Sequence, residues 1–547
     1  MRLSVATITA LVLHAIVCGA PATAAPPRVD FLFPAGAARG TTTEIVAHGA
    51  FDAWPVEVWC SRSDVTVTVG ADKGKLSVTI PENDVPGRCW IRLFNAEGAS
   101  ALRPLIIGAI PEIVEVEPNN EPAKPQRLDA SSLTINGRFE TAGDVDVFAV
   151  PLKAGETLVA RLDGHQQLGS PLDGVLEILT PAGFVLEHND DDFGLDPQIV
   201  YSVPADGIYL VRALAFPAET NATIGLAGGA NYVYRLTLTT GPFVDHAWPD
   251  GVPAGGASEV QLLGWNLPVN LQRMTVSAVP DTTTATLFAP GLANFRRIPV
   301  TTSPVVLESQ PNGSRDPQAV PVPSLITGRV GEPRESDAYR LKLTKGQAVF
   351  VRVEARAIGS HLDPVLTVSD AGGKVLQRVD DAGATPRDAE LTFSPPEDGE
   401  YVVSVSDLHR RGAMRFFYRL SLSTPTPDFA LSTGIDPLTL TTEKPLEVPV
   451  AVARLNGFAE EIEVVVEGLP AHVTATPVKS LKEGDSSKAV KLVLTNAAEG
   501  AAWSGPIGIR GQSAGELKVT RAAEAPLNVD GERTSTFWLT VAASPAK

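Results

Sequence analysis

Glu115-Val-Glu117-Pro-Asn119-Asn120, followed by Gly143-Asp144-Val-Asp146-Val-Phe148, opens a stretch that runs to Leu236 and decides how the chain is read. Between its ends lie Gly137, a turn at Gly155, the pair Leu172-Asp173, the triplet Asp190-Asp191-Asp192, and Asp206-Gly207-Ile-Tyr209. Most of this returns between Gly328 and Leu420. Asp144 falls on Glu335, Asp146 on Asp337 and Gly155 on Gly346; Gly169-Ser-Pro-Leu-Asp173 falls on Gly359-Ser-His-Leu-Asp363. Asp190-Asp191 falls on Asp380-Asp381, Asp206-Gly207-Ile-Tyr209 on Asp398-Gly399-Glu-Tyr401, and Tyr234-Arg-Leu236 on Tyr418-Arg-Leu420. Self-similarity of this kind marks a repeated structural unit.

The flanking sequence repeats as well. Gly36, Gly40, Glu44 and Gly49 are spaced as Gly251, Gly255, Glu259 and Gly264 are. The first flanking unit carries short β-rich runs, among them Glu44-Ile-Val-Ala, Val56-Glu-Val-Trp59, Val65-Thr-Val-Thr-Val69, Leu76-Ser-Val-Thr-Ile80 and Cys89-Trp-Ile-Arg-Leu93. Several alternate apolar with polar, and turn residues separate them, which is the pattern of a β-sandwich. The expected organisation is a signal peptide over 1–24, an Ig-like sandwich over 25–109, a larger sandwich over 110–241, a short Ig-like unit over 242–304, a second larger sandwich over 305–424, and a C-terminal Ig-like domain over 425–547. The fold class is all-β, a chain of tandem sandwiches, Ig-like and jelly-roll-like.

Composition sets limits on function. Apolar residues make up 44% of the 547, enough to fill several cores, and Gly 47 with Pro 45 favours strands and turns over helices. Formal net charge is −18, so a phosphate backbone is repelled and nucleic acid is not an expected partner. Arg2, an apolar run over Leu3 to Val17 and the small-residue site Ala22-Thr-Ala24 form an export leader, too short to span a bilayer. A lipid anchor on Cys18 is the alternative, against which Val17 stands where a small residue is wanted. No later run is apolar enough for a membrane helix, so the expected location is secreted or periplasmic. Cys60 and Cys89 then remain as an even pair, expected to form a disulfide beside a core containing Trp59 and Trp90.

The aligned motifs carry a resemblance. The Glu-Pro-Asn opening, Gly-Asp-Val-Asp-Val-Phe, Leu-Asp, Asp-Asp and Asp-Gly-x-Tyr together resemble the bacterial pre-peptidase C-terminal domain, and through it the collagen-binding domains of clostridial collagenases. The small sandwiches resemble the IPT/TIG type, with Gly264-Trp-Asn near that family's signal. The arrangement is similar to large exported proteins of planctomycete-type bacteria. The resemblance implies jelly-roll-like sandwiches that bind or assist and do no chemistry, with calcium on the acids of the linker and strand.

Read from the residues themselves, Glu115, Glu117, Asn119, Asn120, Asp144 and Asp146 supply six side chains with oxygen atoms to one short region, and a hard cation such as calcium wants six to eight oxygens. A strand over 144–148 would put Asp144 and Asp146 on one face. The alternative is a solvated acidic linker beside a turn. The second copy fits less well, because Gln310 replaces Glu117 and Gly313 replaces Asn120. Asp190-Asp191-Asp192 is a weaker cation candidate that lacks EF-hand spacing and reads better as a solvated hairpin loop. Tyr209, Tyr401, Tyr234 and Tyr418 read as core, and Trp54 or Trp265 as the better surface contacts.

No catalytic residue is expected. Gly511-Gln-Ser513-Ala-Gly515 has the spacing of a nucleophile elbow, but the last histidine, His472, precedes it, and the surroundings read as strand and hairpin. The expected function is an exported, non-catalytic binding or scaffold protein, stabilised by calcium, that contacts extracellular protein or polysaccharide. The alternatives are an accessory subunit of a secreted peptidase system and a hydrolase of unfamiliar type.

Overall fold

The computed structural model describes residues 25–219, 225–279, 282–381, 388–441, 444–497, 501–529 and 531–542. The leader, its cleavage site and Cys18 lie outside them. The chain is almost wholly β, in tandem sandwiches. Five clusters of buried side chains follow one another along it, between Val29 and Ile107, Leu128 and Leu238, Val244 and Ile298, Val320 and Leu422, and Phe429 and Val541.

The two larger units share one topology. In the first, one sheet runs Glu112–Val114, Leu133–Arg138, Val233–Thr239, Thr157–Asp163, Gln198–Ser202 in spatial order, and the facing sheet runs Gln126–Arg127, Asp146–Leu152, Gly207–Pro217, Leu172–Leu179, Val185–Asn189. In the second, the orders are Val305–Leu307, Ser324–Arg329, Phe417–Ser423, Val349–Glu354, Glu390–Phe393 and Gln318–Ala319, Ser336–Leu343, Gly399–Asp407, Pro364–Asp370, Val375–Val379. Period-two patterning is clear in Gly399–Asp407, where Tyr401, Val403 and Val405 face the core and Glu400, Val402, Ser404 and Ser406 face away.

Two recurrent motifs have mechanical explanations. Gly155 and Gly346 take φ of 85° and 76°, the left-handed conformation their tight turns require. The Asp of Asp-Gly-x-Tyr ties down that turn: Asp206 Oδ1 accepts from Ala154 N at 2.8 Å, and Asp398 Oδ1 from Lys345 N at 2.7 Å. The Tyr hydroxyls donate back four residues, Tyr209 to Ala205 O and Tyr401 to Glu397 O, both at 2.9 Å. Both rings are buried, as a packing role requires.

The small sandwiches repeat too. The first strands, Arg28–Phe33 and Phe243–Trp248, each bulge opposite a glycine; a Cβ on Gly49 would lie 1.9 Å from Arg28 O, and one on Gly264 2.1 Å from Phe243 O. Cys60 and Cys89 are diagonal neighbours on paired strands, but both are free thiols, so the expected disulfide is not formed. Trp59 also departs from expectation. It leaves its own core to pack against Trp538 of the last domain at 5.9 Å, beside Phe94. Trp54 and Trp265, read as surface contacts, are each half-buried; Trp54 donates to Gly70 O, and Trp265 packs on Phe243. Ser513 ends the strand Trp503–Ser513, where its hydroxyl accepts from Val519 N, so no strand-turn-helix elbow forms around it.

Ion pairs tie units together across the chain, the first to the last among them. Arg88 meets Glu532 at 2.6 Å, and Arg92 meets Asp436 at 3.0 Å. Arg415 is the most connected of these residues. It binds Asp192 of the first large unit through two nitrogens, at 2.8 and 2.9 Å, and Asp245 of the second small one at 3.1 Å. His361 Nε2 lies 2.7 Å from Asp192 as well. The reading of Asp190-Asp191-Asp192 as a solvated loop or cation site therefore fails at Asp192, which is buried in an ion pair between units.

Candidate metal centre

The acidic opening is positioned by both sheets of the first large unit. Glu115 N donates to Asn136 O just beyond the strand Glu112–Val114, and Glu115 Oε1 accepts from Arg138 N at 2.6 Å. Asp146 opens a strand of the facing sheet, and Val147 N donates to Asn119 O, which pins the loop against that strand. Glu115, Glu117 and Asp146 thus converge, each offering a carboxylate oxygen within 4.8 Å of the others. None of the three has an ion-pair partner among the described residues.

Tyr234 crosses between them. Its hydroxyl lies 2.6 Å from Asp146 Oδ2 and 3.0 Å from Glu115 Oε2. One phenolic proton serves one carboxylate, so the other contact needs a second proton or a cation. Burial, more than any neighbour, pushes the Glu115 carboxyl up to about 8. Burial, then the nearby Glu115 charge, pushes Asp146 well above the ordinary carboxylate range. Both effects are those of desolvated like charges lacking a counter-ion.

The Asn119 carboxamide is buried at the centre. One of its terminal atoms lies 3.1 Å from Asp146 Oδ1 and 3.2 Å from each oxygen of Glu117. With nitrogen inward, it donates to them. With oxygen inward, it completes a set of hard oxygen donors that protons or a cation would reconcile, the donor type that suits calcium rather than zinc.

Four of the six sequence candidates, Glu115, Glu117, Asn119 and Asp146, are brought together. Asn120 and Asp144 are not part of this cluster. Asp144 precedes the strand rather than sharing a face with Asp146; it closes a turn, accepting from Glu140 N, Val145 N and the Asn120 amide at 2.6, 3.0 and 2.6 Å. Its carboxylate is occupied by that turn.

The second copy is closer to the first than its sequence implied. Glu308, Glu335 and Asp337 converge within the same 4.8 Å. Glu335 supplies the carboxylate that Gln310 does not. Glu308 Oε2 accepts from Arg329 N as Glu115 does from Arg138 N, and Tyr418 donates to Asp337 at 2.7 Å as Tyr234 does to Asp146. Tyr339, where the first copy has Phe148, adds a hydroxyl 2.6 Å from that of Tyr418. Burial pushes Asp337 up to about 8.

Sequence reading assigned Tyr234 and Tyr418 to packing alone and left Gly137 and Gly328 as unspecified scaffold. The glycines exist for the tyrosines: a Cβ on Gly137 would lie 2.1 Å from Tyr234 Cζ, and one on Gly328 2.3 Å from Tyr418 Cζ. The usable signal was that each Gly–Tyr pair recurs together with its Asp.

No family model matches the chain. One segment of 97 residues is 32% identical to a probable subtilase-type serine protease of Deinococcus radiodurans; it covers 18% of this chain and 13% of that protein. Among solved structures, the chain is similar to a mixed-linkage glucan utilisation protein of Bacteroides ovatus in complex with a heptasaccharide, at 12% identity and a TM-score of 0.14, over 73% of this chain and 74% of that one. A Clostridium perfringens protein carrying an M60 catalytic domain with two CBM51 domains is similar at 11% identity and a TM-score of 0.15, over 71% of this chain and 45% of that one. Among the described residues no helix is long and apolar enough to cross a membrane.

Proposed function

We propose that the protein is an exported, non-catalytic binding scaffold that contacts extracellular protein or polysaccharide, with calcium on Glu115, Glu117, Asp146 and Asn119 fixing the first large unit. The observation that carries this reading is Arg415, one guanidinium bound to buried carboxylates of two other units. Such pairs hold the sandwiches in one relative arrangement, and a multi-site binder that presents several faces to an extended polymer needs that arrangement held. Calcium would act on the same property, cross-linking the linker carboxylates to a strand of the facing sheet.

Retention on insoluble collagen, chitin and bacterial cell-wall material, measured in calcium and in chelator, tests the reading. Retention on at least one polymer is expected, stronger in calcium; passage through all three in both conditions would overturn it. The segment shared with a subtilase-type protease supports a second reading, an accessory chain to a secreted peptidase. In that case a secreted peptidase of the same cells, rather than a polymer, is retained by the immobilised protein.

A further inference from the structure

The five buried clusters meet around a cavity of about 1410 Å³, larger than the usual range for a small-molecule pocket and placed where such sites concentrate, between domains. Every unit contributes to its wall: Arg88 from the first, Arg161, Phe193 and Arg235 from the second, Arg296 and Arg297 from the third, Arg356 and Arg419 from the fourth, Glu532 from the last. Acids outnumber bases 63 to 45 over the whole chain, yet the wall carries seven arginines against six acids. None of its bases is a lysine. Arginine is the side chain whose planar fork matches carboxylate and sulfate oxygens two at a time.

Pairing in this wall leaves two of its arginines over. Its acids are mostly answered: Asp163 by Arg161 at 2.9 Å, Glu532 by Arg88 at 2.6 Å, Asp192 and Asp245 by Arg415. Asp381 stands at the exposed lip. The Nε–H groups of Arg88, Arg235, Arg296 and Arg356 lack a hydrogen-bond partner but are closed off from the cavity, so any ligand meets the terminal nitrogens, which Arg88 and Arg235 already commit to Glu532 and Glu112. Arg356 has no side-chain partner among the described residues, and Arg297, 46% exposed, reaches Glu532 only at 3.6 Å. Glu112, Asp250 and Glu354, standing behind the wall, answer Arg235, Arg296 and Arg419, which leaves Arg356 and the half-exposed Arg297 as the guanidiniums open to an anion. Phe193, half-buried with the Arg161 guanidinium 3.9 Å over its ring, adds apolar surface to the wall.

We infer that this cavity binds an anionic oligosaccharide, its carboxylate or sulfate groups taken by Arg356, Arg297 and their neighbours. The inference rests on the binding role proposed above and names its ligand class and site.

Titration calorimetry tests it on the full chain with tetragalacturonate, a chondroitin sulfate tetrasaccharide, cellotetraose and inorganic sulfate as separate probes. At least one acidic tetrasaccharide is expected to bind, with affinity that falls as salt rises and drops tenfold or more in Arg356→Ala/Arg297→Ala. The control variant Lys491→Ala should bind as wild type. The double variant should melt with the wild type; if it does not, Arg356→Gln alone replaces it, with a threefold or greater loss expected. Equal binding of cellotetraose, displacement by inorganic sulfate at the tetrasaccharide's own concentration, indifference to the arginine substitutions, or no acidic binding would each overturn the inference. Retention on an insoluble polymer that excess acidic tetrasaccharide leaves unchanged would sink the cavity site while leaving the binding role standing.

Discussion

Replacing Arg415 by alanine is expected to destabilise the protein by roughly 3–5 kcal/mol, the cost of removing one partner of a buried ion pair. Asp192 and Asp245 each expose only 2% of their side chains, and the substitution leaves them with only the His361 and His246 rings as side-chain partners of opposite character. Arg415 also lies over the rings of Trp265 and Phe193, at 5.6 and 5.9 Å, so apolar contact goes with the charge. The effect should reach beyond the residue's own sandwich: an early melting transition and new protease cuts between units are expected, because the network spans three of them. Arg415→Met with Asp192→Leu and Asp245→Leu should recover most of the loss, since the guanidinium and both carboxylates are then replaced by apolar groups together. A change within about 0.5 kcal/mol for Arg415→Ala, the ordinary range for a surface substitution, would contradict the account.

Acid should undo the same network. Burial raises the Asp245 carboxyl, but hydrogen bonding to His246 and the charge of Arg415 outweigh it and hold it at about 2. A depressed carboxylate contributes stability that is present above its unfolded value and lost as pH falls through its folded one. The contribution therefore persists down to pH near 3.8 and disappears between there and about 2. In wild type the early transition should emerge in that window. In Arg415→Ala it should already be present at neutral pH.

Gly137→Ala carries the second large effect. Its Cβ would lie 2.1 Å from Tyr234 Cζ and 2.5 Å from Glu115 Oε2, on a fully buried ring with no free rotamer space. Overpacking of this kind typically costs about 1–3 kcal/mol. Here it also drives Tyr234 off Asp146, leaving a buried carboxylate without its donor. Gly328→Ala should behave alike in the second copy. Gly207→Ala is the contrast: nothing lies within 4 Å of its Cβ position, so it should change stability by under about 0.5 kcal/mol. Thermal melting of the three variants measures this, and equal effects at Gly137 and Gly207 would contradict it.

Gly207 recurs as Gly399, and nothing in the local space explains it. Gly137, Gly155 and Tyr209 recur too, and there a ring, a left-handed turn and a hydroxyl anchor account for it. The sequence therefore marked which residues the module keeps, but not which force keeps them. Sandwich class, strand runs and the repeat were legible because period-two patterning and turn residues are local signals. Arg415 was invisible for the opposite reason: its partners are 223 and 170 residues away, and no local pattern encodes them. Four of the six acidic-region candidates converged because loop and strand are pinned by backbone bonds. Asp144 was misplaced because its strand starts two residues later than alternation suggested, so a turn used its carboxylate first.

In the cluster itself, a carboxyl raised to about 8 against an ordinary 4.5 binds its proton more tightly in the folded state. For such a group, stability falls as pH rises from about 4.5 to about 8. A bound cation reverses that cost. The most direct measurement is the melting temperature of chelator-stripped protein at neutral pH, before and after calcium, in wild type and Asp146→Asn. Calcium at 100 times its dissociation constant should stabilise the wild type by about 2.7 kcal/mol and raise its first transition. Asp146→Asn should melt above stripped wild type, because a repelled charge is gone, and most of its response to calcium should be lost; any remainder belongs to the second copy and should vanish with Asp337→Asn. Wild type that melts at the same temperature in millimolar calcium and in chelator would contradict the account.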